Sequence, residues 1–130
     1  MPYERFQAWQ ACDKLVIEAY RVTSPFPSHE RYGLTSQIRR AAVSTAANIA
    51  EGSAKRGSGE FRRYLDIVNG SLSELSYLLR VAARLEYFSQ AEWQELESLR
   101  ESAARLTWRL YAAISRKQQS LSALTARPPV

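Results

Sequence analysis

Apolar positions recur at alternating three- and four-residue steps along four stretches of the chain, the spacing that gathers them on one face of an α-helix. The first predicted helix runs from about Phe6 to Val22, its stripe reading Phe6, Trp9, Val16 and Tyr20 with Asp13 as an interruption. Pro25 and Pro27 end it, because each lacks a backbone donor and drives its predecessor out of the helical region. Thr35 is placed to cap a second helix with the stripe Ile38, Ala41, Ala42, Thr45 and Ile49, broken at Gly52, Gly57 and Gly59. Between Ala41 and Ala50 this helix holds five alanines with Ser44 and Thr45, so a neighbouring helix can approach closely.

The third stretch, about Gly59 to Tyr87, has the most regular stripe: Phe61, Leu65, Val68, Leu72, Leu75, Leu79 and Ala82. Ser89 and Glu92 have the spacing of a capping box, in which each side chain satisfies a backbone donor at a helix start. The fourth helix they open carries Trp93, Leu96, Leu99, Ala103, Leu106, Leu110 and Ile114, and its pattern fades after about Lys117. No period-two strand interrupts the series. The sequence therefore predicts an all-α protein, an up-down-up-down antiparallel four-helix bundle over residues 1–120, with a flexible tail over 121–130.

Composition adds limits. At 130 residues and 45% hydrophobic, the chain has the size and apolar content of one globular domain. A net charge of +5 favours anionic partners. Cys12 is the only cysteine and His29 the only histidine, so neither an intrachain disulfide nor a Cys- or His-rich metal site can be built, and no cofactor is expected. Cys12 reads as a buried small hydrophobe, His29 as a solvated loop residue, and the Gly52–Gly59 segment as an interhelical turn lacking the Lys and Ser/Thr of a phosphate loop. Glu51 and Glu60 flank that turn without a neighbour to separate their acidities, so no catalytic residue is assigned and the chain reads as no enzyme. The amino terminus lacks the signal-peptide pattern and no run has the length of a membrane span; the expected location is cytoplasmic, away from membranes.

Two polar features stand apart from the core. Arg40, Ser44, Asn48 and Glu51 line one face of the second helix, and Gly70, Ser71 and Glu74 interrupt the third, so the two stripes are candidates to face each other. Asn48 and Glu51 read first as interior groups that fix helix register, and second as ligand-binding groups. Arg39, Arg40, Lys55 and Arg56, followed by Arg62 and Arg63, form a local cationic excess, read either as a solvated basic surface or as a nucleic-acid contact.

The run Phe26-Pro27-x-x-Glu30-x-Tyr32-Gly33-Leu34-Thr35-Ser36-Gln37-Ile38-Arg39-Arg40-Ala41-Ala42-Val43-Ser44, continuing through Ala47-Asn48-Ile49-Ala50-Glu51-Gly52, resembles the signature of bacterial four-helix-bundle proteins related to the 23S ribosomal RNA intervening-sequence protein. Phe61, Leu65 and Gly70-Ser71-x-x-Glu74-Leu75 continue the likeness, while the fourth helix matches in pattern only. Thr45-Ala46 departs from the Ile-Pro common in that family and implies a straighter helix. The resemblance implies a ring-like homo-oligomer, a pentamer, and a similarity to accessory proteins of diversity-generating retroelements, whose partners are RNA or DNA and a reverse transcriptase. It also marks Arg39, Arg40, Asn48 and Glu51 as matched positions that serve either folding and assembly or binding.

Overall fold

A computed structural model describes residues 1–125 and contains four α-helices: α1 (Gln7–Thr23), α2 (Leu34–Ser53), α3 (Ser58–Arg84) and α4 (Gln90–Thr125). Short 3-10 turns at Pro2–Arg5 and Ser28–Glu30 precede α1 and α2. Each helix packs on its neighbours in sequence, and α1 closes the ring against α4; the backbones of the two diagonal pairs stay apart. Partners run in opposite order along adjacent helices, as Arg40 with Glu74, Ser44 with Ser71 and Glu51 with Tyr64 show for α2 and α3. The expected antiparallel bundle is the observed one.

The core is the set of stripes meeting along the bundle axis. All seven expected α3 positions are buried, as are Ile38, Ala41, Ala42, Thr45 and Ile49 of α2. On α1 the buried face is Ala8, Cys12, Leu15, Ala19 and Val22, one position before the expected stripe. Trp9, Asp13 and Val16 sit half-buried at its flank and Tyr20 is exposed. Ala8, Cys12 and Ala19 let neighbouring helices approach α1 closely, Leu15 and Val22 fill the space between, and the rings of Trp9 and Tyr20 lie at the edge. Deleting a buried leucine such as Leu65 costs about 2–5 kcal/mol in such packing.

Local chemistry sets the helix boundaries. At α2 the expected Thr35 cap is not used: Gly33 is the N-cap, Thr35 is buried inside the first turn, and the Glu30 carboxylate accepts the Leu34 N–H at 3.2 Å. Gly57 precedes α3 at φ +84°, a conformation that suits only glycine without strain. The capping box at α4 forms as expected, Ser89 Oγ accepting from the Glu92 N–H and Glu92 Oε1 from the Ser89 N–H. Helical backbone continues past Lys117 to Thr125, so residues 121–125 of the expected tail are helical and exposed; residues 126–130 lie outside the described part. The fading apolar pattern marked the end of packing, whereas the helix itself, once begun, propagates at one hydrogen bond per added residue.

Where α1, α2 and α4 meet, Cys12 lies fully buried beside the Thr45 and Thr107 hydroxyls. Burial pushes its thiol up to about 11, and those two hydroxyls offset only part of the shift. The group is an inert core filler, as the sequence implies.

Candidate nucleic-acid interface

The six arginines and lysines singled out in the sequence do not form one cluster. Arg39 and Arg40 lie in the first half of α2, whereas Lys55, Arg56, Arg62 and Arg63 surround the turn joining α2 to α3, roughly 20 Å further along the helix axis. Arg39 is held structurally: its Nε donates to Thr23 Oγ1 at 2.9 Å and its guanidinium lies 4.6 Å from the Tyr20 ring centre, tying α2 to the end of α1. Arg40 pairs with Glu74 across the α2–α3 seam.

That seam is the polar stripe foreseen in the sequence. Ser44 Oγ and Ser71 Oγ are 2.8 Å apart, and Asn48 Nδ2 donates to both the carbonyl and the hydroxyl of Ser44, at 2.7 and 3.0 Å. Asn48 is half-buried, with its amide spent inside the seam, the placement a register group needs. Glu51 lacks that placement: it is exposed and accepts from Tyr64 OH at 3.3 Å, because α2 has reached the rim of the bundle by then.

At the turn, the cations remain near the solvent. Lys55 Nζ lies 5.5 Å from the Tyr64 ring centre, the Arg62 guanidinium 5.9 Å from that of Tyr111, and Arg63 reaches Glu60 at 3.9 Å. Arg56 is exposed, with no ion pair or hydrogen bond among the described residues. The Arg62 and Tyr111 contact brings in something the sequence reading overlooked. α4 is polarised: Gln90–Glu101 holds Glu92, Glu95, Glu97 and Glu101 against Arg100, whereas from Ser102 onward the sequence has Arg105, Arg109, Arg116, Lys117 and Arg127 and no carboxylate side chain. Antiparallel packing lays the cationic half beside the α2–α3 turn. A Cβ on Gly59 would lie 3.4 Å from Gln118 Nε2, and Arg5 lines the same cleft as Arg109. A count of charge by helix half would have found this asymmetry.

Elsewhere, His29 sits in the exposed turn before α2, its Nε2 3.4 Å from Tyr87 OH, which also donates to Glu30 at 2.9 Å. Two hydrogen bonds, from the Leu34 N–H and from Tyr87 OH, hold the Glu30 carboxyl below its ordinary range. Among the described residues, no three His, Cys, Asp or Glu side chains gather to hold a metal ion, and no helix is long and apolar enough to cross a membrane.

Fold and surface together define an antiparallel all-α bundle with a cation-rich pole. The chain belongs to the 23S rRNA-intervening sequence protein family, whose profile matches residues 4–109. Among solved structures it is similar to a protein with unknown function from the S23 ribosomal protein family of Bacteroides thetaiotaomicron, at 18% identity and a TM-score of 0.72, over 80% of this chain and 97% of that one. This likeness shows the fold. No curated protein sequence matches the chain. Arg116 and Lys117 lie beyond the family match.

Proposed function

We propose that this protein is a non-enzymatic, oligomeric adaptor of the cytoplasm that holds nucleic acid by its phosphate backbone at the cation-rich pole. The observation that supports this most is the juxtaposition of Lys55, Arg56, Arg62 and Arg63 with the carboxylate-free half of α4. Cations on two helices around one turn track a phosphate backbone better than a single helix can, and release its counterions on binding. Self-association draws support from α4 itself. Beyond the level where α3 begins opposite Gln118 it still carries Leu121 and Leu124, 52% and 60% exposed, and Trp108 is 59% exposed beside Tyr111.

The test is the salt dependence of duplex binding. The logarithm of the affinity should fall linearly with the logarithm of salt concentration, and Arg62→Glu with Arg63→Glu should flatten the slope by about 0.9 per lost phosphate contact while helicity is unchanged. Absence of binding at low salt dismisses the proposal. Light scattering that gives a monomer at micromolar concentration dismisses its oligomeric part.

A further inference from the structure

A second cleft, of about 500 Å³, opens at the far end of the bundle between the end of α1 and the start of α2. Its walls carry Tyr20, Arg31, Tyr32, Ser36, Arg39 and Arg40, and no carboxylate is among the lining residues. A smaller cleft shares Arg31 and Arg39 with it and adds the hydroxyl-bearing residues Thr23, Ser24 and Ser28. Tyr32 is 89% exposed, a large ring standing in solvent with the Arg31 guanidinium over it, 5.9 Å from the ring centre. Burial in the bundle does not explain an aromatic so placed. Arg31 itself makes no ion pair among the described residues, unlike Arg40 with Glu74. The start of α2 adds no anion site here, because the Glu30 carboxylate already accepts the Leu34 N–H.

The geometry points to this cleft as a site for one nucleotide of a single strand, its base stacked on Tyr32 and its phosphate held by Arg31 and Ser36. The inference rests on the nucleic-acid reading above and adds to it the most exposed aromatic ring among the described residues. An unpaired base stacks on such a ring whatever its identity, whereas a duplex base is already stacked and has no face to offer. Arg39, fixed by Thr23 and Tyr20, supplies a positioned charge at the cleft floor and needs no rearrangement to do so. The pole would then track backbone while the cleft distinguishes single strand from duplex.

The experiment measures fluorescence anisotropy of a labelled oligouridylate of about twelve nucleotides and of a duplex of equal length. Tyr32→Ala and Arg31→Ala should each weaken single-strand binding about ten-fold and leave duplex binding unchanged. Both residues are exposed, and unchanged circular dichroism confirms the fold. A 5-bromouridine strand should crosslink on irradiation to the peptide containing Tyr32. If these variants bind the single strand normally while Arg62→Glu with Arg63→Glu weakens both probes, the cleft is overturned and the pole stands. If the cleft variants weaken single-strand binding and the pole variant changes neither probe, the pole fails and the cleft stands. Equal loss on duplex and single strand in Tyr32→Ala overturns the stacking. So does competition by a glutamate oligomer of equal charge as effective as by unlabelled oligouridylate, which would make the cleft a seat for an acidic protein segment. A wild-type protein that binds neither probe overturns both.

Discussion

Ser44 of α2 and Ser71 of α3 meet hydroxyl to hydroxyl at 2.8 Å, with Asn48 one turn along α2 donating to Ser44 as well. Ser71→Ala should cost about 1 kcal/mol in urea denaturation, and Ser44→Ala more, since it strands one Asn48 bond too. The double variant should cost less than the two together, because the shared bond is lost only once. Full additivity would show that the hydroxyls do not couple.

Gly52 and Gly70 should respond to alanine with opposite signs. A Cβ on Gly52 would lie 2.7 Å from Tyr64 Cβ, a contact that forces α2 and α3 apart and should destabilise by about 1–3 kcal/mol. A Cβ on Gly70 meets nothing within 4 Å, so no packing contact calls for a glycine in the middle of α3. Gly70→Ala should therefore stabilise by about 1 kcal/mol through helix propensity alone. Thermal denaturation of both variants reads the contrast directly.

α3 ends in a pair of bonds, Tyr87 N–H to the Ala82 carbonyl and Glu86 N–H to that of Ala83, which require a left-handed residue between. That residue is Glu86, at φ 61°, where glycine would be unstrained. Glu86→Gly should raise stability by roughly 0.5–1 kcal/mol, and a drop in melting temperature would contradict it.

Cys12 predicts an alkaline stability loss. Its thiol keeps its proton to about pH 11 when folded, whereas in the unfolded chain it ionises near 9.0. Between those values the unfolded state holds fewer protons, so stability falls as pH rises, by roughly 2–3 kcal/mol in all, and is unaffected by this group below pH 9. Other groups titrate there too, so the quantity to measure is the difference between the wild type and Cys12→Ala, whose stability should fall less steeply. The native thiol should also resist alkylation at pH 8 until the protein is unfolded.

Charge position explains why the sequence located the polar seam but only part of the cation-rich pole. Ser44, Asn48, Ser71 and Glu74 sit at helical spacings within two segments, so their faces are fixed by the 3.6-residue period alone. Arg109, Arg116 and Lys117 are remote in sequence from Lys55 and Arg62, and only the direction in which α4 packs brings them alongside. Arg39 shows the converse, since a cation grouped by sequence with the turn turned out to brace α1.

The sequence by itself determined the number of helices, the buried faces of α2 and α3, the capping box that opens α4 and the thiol's inertness. Each of these follows from local periodicity, capping chemistry or composition. The tertiary structure decided which face α1 buries, where the cations pool and what stands open between α1 and α2. Those depend on which helices adjoin, because close approach by neighbouring helices selects among possible faces and because charges far apart in the chain sum only when folding sets them side by side.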